Sequence, residues 1–321
     1  MIIVPERLIA GLVSETDVFN AVEKVFVAMA RGQARNFPVV REAIGCADAL
    51  YGIKAGFDQA GLALGLKAGG YWPSNITRGI TNHQSIILLF DPETGQVKAA
   101  VGGNLLTALR TAAASAVSIN HLARRDARVL GIVGAGHQSV FQMRGAARVR
   151  TFDKVIAWNR QAEKLSKLAD AAAALGLPFE AADLARLGAE ADVIITVTSS
   201  YAPVLLRDHV RPGTHLACMG TDTKGKQEVE ARLLQDARVF TDEVAQSCTI
   251  GEAQHAIAEK LIEPANITPL GAVVSGLAVG RTSSNEITVF DGTGVALQDL
   301  AVASIAAEAA IVRGLGQEVS I

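Results

Sequence analysis

Between residues 16 and 31 the apolar side chains Val18, Val22, Val25, Phe26 and Met29 recur at three- and four-residue steps, the spacing of one face of an α-helix. Thr16 is its expected N-cap and Gly32 its stop. The hydrophobic runs that follow are short and β-like, over 49–57, 62–72, 85–90 and 96–101. The last two flank Asp91-Pro92-Glu93-Thr94-Gly95, a turn short enough to force antiparallel strands. From about residue 116 the pattern changes. Strand candidates at 129–133, 155–158, 193–197, 214–219 and 238–241 alternate with helical stretches, which predicts a parallel sheet with helices on its faces. A final strand, 286–290, precedes an Ala-rich helix over about 295–313. That helix is uncharged over much of its surface and is expected to return to the first region, giving domains of 1–115 with 295–321, and 116–294.

Composition narrows the function classes. The chain has 321 residues, half of them hydrophobic, enough for two cores. Lys plus Arg number 30 against 32 Asp plus Glu, a net charge of −2, so a phosphate-backbone partner is not expected. No apolar run approaches the roughly 18 residues that span a bilayer, and Glu6 and Arg7 interrupt the N-terminal apolar stretch, so the expected setting is cytoplasmic with neither membrane nor nucleic acid as partner. Cys46, Cys218 and Cys248 lie far apart and outside any metal-ligand spacing, so all three are read as reduced and no metal is expected.

The strand 129–133 runs into Gly134-Ala135-Gly136-His137-Gln138-Ser139 and then a helix. Gly134 permits the tight turn, Gly136 lets a pyrophosphate approach the backbone, and small Ser139 stands at the helix–strand contact. This predicts a Rossmann dinucleotide-binding domain. The next strand ends in Trp158-Asn159-Arg160, where an acidic residue usually holds the ribose of NAD. Asn159 can bond that ribose and Arg160 can pair with a 2′-phosphate, so the expected cofactor is NAD or NADP, with the choice open. Thr198 and Ser199 follow the third strand at the edge where ligands bind.

The first region carries cations that a core does not need. Lys67 interrupts an apolar strand, Arg41 follows Pro38-Val39-Val40, and Arg110 interrupts the apolar stretch 104–114. Each is costly there unless it meets an anion, which points to a carboxylate substrate. Asp222, immediately after the fourth α/β strand, is the expected acid partner, and His83 and His137 are further acid–base candidates. A dicarboxylic substrate would need a second anion site, for which Arg41, His83 and the segment Ser74-Asn75-Ile76-Thr77-Arg78 are candidates.

The order of these motifs resembles the ornithine cyclodeaminase/μ-crystallin family over nearly the whole chain. The features that carry the resemblance are Lys67 in its strand, TALRTAAAS at 107–115, GAGHQS at 134–139, GTDTKGKQE at 220–228 and VFDGTG at 289–294. It implies an α/β protomer, a Rossmann domain joined to an antiparallel α+β domain that binds substrate and makes a homodimer. It further implies that Arg41, Lys67 and Arg110 surround the carboxylate of a small imino or amino acid, with Lys67 and Asp222 catalytic. Arg110, Thr111, Gly134, Gly136, His137, Gln138, Asn159, Arg160, Thr198 and Ser199 would contact the cofactor, with Met219, Asp291 and Gly292 near the nicotinamide. The Asn159-Arg160 ending resembles the family's imine reductases more than its cyclodeaminases. The implied reaction is hydride transfer from NAD(P)H to a 2-imino acid, foremost iminosuccinate to L-aspartate in the β-hydroxyaspartate route of glyoxylate assimilation. The alternatives are an ornithine cyclodeaminase-type lyase and a non-catalytic NADPH-dependent binder.

Overall fold

A short strand β1 (Ile2–Val4) and helix α1 (Glu6–Leu12) precede the amphipathic helix α2 (Glu15–Ala30). Its N-cap is Ser14 and not Thr16. Ser14 Oγ accepts from Asp17 N at 3.1 Å while the Asp17 carboxylate takes the Ser14 N–H at 3.3 Å, a reciprocal capping box. Thr16 has Phe19 three positions on and cannot close one. Val18, Val22, Val25 and Phe26 are buried as the periodicity demands, and Gly32 stops the helix at φ +70°.

This computed structural model describes residues 1–320, which divide into two units: Met1–Arg110 with Val295 onward, and Thr111–Gly294. The division falls after Arg110, inside helix α3 (Asn104–Leu122), rather than at 115. In the first unit, β2 (Ala34–Asn36), β3 (Val40–Ala43), β4 (Leu50–Asp58), β5 (Ala63–Tyr71), β6 (His83–Phe90) and β7 (Val97–Gly102) follow α2. The sheet order is β1-β7-β6-β5-β4-β2, with β3 also on β4 and the C-terminal strand Gln317–Glu318 beyond β1. The β6–β7 turn is closed by Asp91, whose Oδ1 accepts from Glu93 N at 3.0 Å and Thr94 N at 2.9 Å, and the pair is antiparallel as read.

This sheet inverts the usual alternation. Gly52, Lys54 and Gly56 of β4 and Ala63, Gly65 and Lys67 of β5 are on the buried face, under the C-terminal helix Ala296–Val312. Tyr51, Ile53, Leu66, Ile86 and Leu88 lie on the other face, half-buried or exposed. On β4 and β5 the polar groups are inside and the large apolar ones outside, while Ile87 and Leu89 of β6 face inward in the ordinary way. The helix itself is buried over much of its circumference, Leu297, Leu300, Val302, Ala303 and Ala306 all being inaccessible, which accounts for its scarcity of charge.

The second unit contains β8 (Val129–Val133), β9 (Lys154–Trp158), β10 (Phe179–Ala181), β11 (Val193–Thr196), β12 (Tyr201–Leu205), β13 (His215–Cys218), β14 (Gln227–Val229), β15 (Ala237–Thr241), β16 (Ile267–Pro269) and β17 (Ile287–Asp291). Eight of these form one sheet in the order β10-β9-β8-β11-β13-β17-β15-β16, parallel throughout. Strands β11, β13 and β17 are buried along their whole length, the mark of a sheet covered on both faces. Chain order reverses between β8 and β11, the switch point where a Rossmann-type sheet opens a crevice at its carboxyl edge.

Candidate active site

Antiparallel register sets Lys67 of β5 directly opposite Lys54 of β4, and both lysines are buried. Lys67 and Arg110 converge on one carboxylate, Asp299 of the C-terminal helix, which is 0% exposed. Lys67 Nζ lies 2.7 Å from Asp299 Oδ2 and donates to Thr107 Oγ1 at 3.4 Å. Arg110 Nε donates to Asp299 Oδ1 at 3.0 Å and its Nη1 to Gln298 Oε1 at 3.3 Å. Burial alone would raise the Asp299 pKa, but Arg110 and Lys67 together hold it below the ordinary carboxylate range. Lys67 is lowered as well, but here burial is the cause and Asp299 opposes it. Burial, reinforced by Arg110 and Lys54, brings its ammonium down to about 7 against the pull of Asp299, so it exchanges a proton near neutrality.

Arg41 of β3 pairs with Gly52 of β4. A Cβ on Gly52 would stand 3.2 Å from Arg41 Cδ, so the missing side chain lets Arg41 lie over the strand. His83 on β6 is driven down to about 3 by burial and then by the charges of Lys67, Arg110 and Arg41, and is a neutral ring among cations. Within their own unit the acid that Lys67 and Arg110 meet is Asp299, which the sequence reading did not name. Asp299 and Lys54 were both missed, and the signal for each was the one used for Lys67: a charge at a position whose periodicity is apolar.

The glycine turn of the second unit has the shape its sequence requires. Gly134 adopts φ +109°, and a Cβ there would come 2.7 Å from Val197 O. Gly136 is the N-cap of helix α4 (His137–Val149), and nothing lies within 4 Å of where its Cβ would be. That leaves room for a phosphate at the helix N-terminus. Ser139 is buried, its hydroxyl donating to Gly136 O at 2.6 Å; His137 is exposed and Gln138 half-buried. Asn159 Oδ1 accepts from Ala135 N at 3.1 Å and its Nδ2 donates to Gln161 O at 2.8 Å. The side chain thus braces the turn and keeps one N–H and one lone pair for a ribose hydroxyl. Arg160 is exposed beside it, and Thr111 is buried in α3. These residues fit a dinucleotide.

The carboxyl edge of the sheet is shaped by buried acids, of which the sequence reading named Asp291 but not Glu228 or Glu252. Glu228 accepts from Thr198 N at 2.5 Å, Gly220 N at 2.8 Å and Thr196 Oγ1 at 2.8 Å, tying the ends of β11 and β13 together. Glu252, pushed up to about 8 by burial and the Glu228 charge, accepts from Glu228 N at 2.8 Å and Val229 N at 2.7 Å. Ser199 is exposed at this edge. Asp291 is buried and lifted to about 7 chiefly by desolvation; its Oδ2 accepts from Ser247 Oγ at 2.5 Å and Ala253 N at 3.2 Å. Gly292 follows, where a Cβ would be 2.7 Å from Met219 Sδ. Asp222, half-buried, pairs with Lys226 at 2.9 Å.

A parallel α/β dinucleotide unit joined to a unit whose sheet is antiparallel except for the β1–β7 pair, with a buried lysine–arginine–carboxylate cluster, defines the class of the molecule, and the chain belongs to the ornithine cyclodeaminase/mu-crystallin family, whose model matches residues 6–313. It is 62% identical to an iminosuccinate reductase of Paracoccus denitrificans over 100% of both chains. The crystal structure of the iminosuccinate reductase of Paracoccus denitrificans in complex with NAD+ matches with a TM-score of 0.95, covering 100% of this chain and 99% of that one. An archaeal alanine dehydrogenase dimer with bound NAD, 30% identical, matches with a TM-score of 0.95 over 100% of this chain and 99% of its own.

Proposed function

We propose that the chain is an NAD-dependent imine reductase whose reaction is the reduction of iminosuccinate to L-aspartate. The observation that carries this reading is the buried Lys67–Asp299–Arg110 cluster, which offers a cation for a carboxylate and a proton donor tuned to neutrality in one place. When bound, NADH supplies the hydride to the imine carbon. Arg110 and Arg41 hold the α-carboxylate and fix the imine carbon's orientation, which is where much of the rate arises. Lys67 delivers the proton to the imine nitrogen, so that hydride and proton together convert C=N to CH–NH. Asp299 keeps Lys67 and Arg110 in register, and Asp222 is assigned to acid–base or amine binding.

In this reading the first unit binds substrate and makes a homodimer, supported by the apolar outer face of its sheet. The second binds the dinucleotide through Gly134, Gly136, His137, Gln138, Asn159, Thr198 and Ser199, with Met219, Asp291 and Gly292 at the nicotinamide. Among the described residues no helix is long and apolar enough to cross a membrane. Three free cysteines suit a reducing cytoplasm. The test is steady-state turnover with oxaloacetate, ammonia and NADH. One L-aspartate formed per NADH consumed is the expected result. Proline formed from ornithine without net NADH loss would identify a cyclodeaminase instead.

A further inference from the structure

Lys54 takes no part in the steps above, yet it occupies the interior of β4 at 7% exposure. We propose that Lys54 holds the second carboxylate of a dicarboxylic 2-imino acid and so makes the site select such substrates over monocarboxylic ones; the proposal rests on the reductase reading and names the residue that sets its specificity.

Three observations converge on it. The first is register. Lys54 and Lys67 are directly paired across β4 and β5, which puts their side chains on one face with Cβ atoms about 5 Å apart. In an imine derived from a four-carbon 2-oxo diacid, the imine nitrogen and the distal carboxylate carbon are three bonds apart, within about 4 Å of each other. Two ammonium groups side by side match that pair of acceptors, Lys67 at the nitrogen and Lys54 at the carboxylate.

The second observation is charge. The two oxygens of Asp299 are engaged by Lys67 and Arg110, and Lys54 adds a third positive charge whose field bears on both Lys67 and Asp299. Side-by-side lysines on a buried face repel, a cost that hydrophobic packing of β4 against the helix does not require. A substrate with one negative charge offsets part of that repulsion, and a dianion offsets more. The third is the neighbouring row. Gly52 and Gly69 pair beside the lysines, and Arg41 lies over Gly52. That row is about 7 Å along the strands from the lysine pair, far enough for Arg41 to serve the α-carboxylate while Lys54 serves the other.

The test compares kcat/KM for oxaloacetate plus ammonia with kcat/KM for pyruvate plus ammonia, at one NADH concentration, in the wild type, Lys54→Met and Lys54→Arg. Misfolding or slower hydride transfer lowers both substrates alike, so the ratio isolates recognition of the second carboxylate. The dicarboxylate preference is expected to fall about 100-fold in Lys54→Met and to be largely restored in Lys54→Arg. Inhibition by succinate relative to propionate should weaken in parallel. An unchanged ratio in Lys54→Met, or in Lys54→Gln if the Met variant does not fold, overturns the proposal. A wild type that reduces both imines equally well contradicts the iminosuccinate reading itself, before any variant is compared, and the proposal falls with it.

Discussion

Lys67 and Asp299 form a couple in which each sets the proton affinity of the other. Lys67 stands at about 7 with Asp299 pulling it upward. Removing that charge in Asp299→Asn therefore lowers Lys67 further, and the pH at which it ceases to be protonated moves down. The alkaline limb of kcat/KM for imine reduction is expected to shift to lower pH in Asp299→Asn relative to wild type; the comparison cancels the pH dependence of imine formation in solution. A variant that loses activity with an unmoved limb would make Asp299 structural only. The same substitution leaves Lys67 and Arg110 without their shared anion and should cost stability by roughly 3 kcal/mol, read as a fall in Tm. Lys67→Met is expected to lower kcat by at least 100-fold while NADH binding, followed by fluorescence titration, persists.

The βα turn after β8 and the cap of α2 illustrate how much of an element its sequence specifies. Gly134 was identified from its place in the turn, and its φ of +109° with Val197 O 2.7 Å from an added Cβ gives the reason. Gly134→Ala must strain the backbone and displace Val197, so it is expected to raise KM for NADH at least tenfold and to lower Tm. Wild-type values would show that the turn has slack. Strands β8, β11, β13 and β17 were legible because full burial demands unbroken apolar runs. β2, β3, β10 and β16 were not, each being three or four residues long with too few positions to display a period. The cap of α2 was misplaced by reading the hydroxyl nearest the first apolar residue instead of the hydroxyl–acid pair, Ser14 with Asp17. Ser14→Ala should cost about 1 kcal/mol with activity per folded molecule retained. Asp299 and Lys54 carry the same signal as Lys67, a charge at an apolar position, but which charges meet was not legible, because only tertiary register brings Lys54 to Lys67 or Asp299 to Arg110.

At the scale of the whole molecule the unusual feature is the first unit's sheet, whose buried face is polar at Lys54 and Lys67 and whose outer face is apolar. Tyr51 and Ile86 are 36% and 45% exposed, and Ile53, Leu66 and Leu88 beside them are partly covered. Alternation puts all five on one surface, contributed by β4, β5 and β6 at the centre of the sheet. Contiguous apolar patches on this scale are uncommon on monomers, and a sheet face is self-complementary enough for a two-fold contact in which each copy presents the same surface. Ile86 lies beside Leu66 and Leu88, while its neighbour Ile87 points inward beside Lys67. Ile86→Glu therefore places a charge on the outer face without touching the cluster within. Light scattering after size exclusion is expected to give twice the 33.5 kDa chain mass for the wild type and the chain mass for Ile86→Glu, at micromolar concentration. A dimer that survives the substitution would move the interface off this face. Because the sheet that would be covered is the one that holds Lys54, Lys67 and Arg41 in register, the monomer should also melt at a lower temperature, and its Tm should cease to depend on protein concentration.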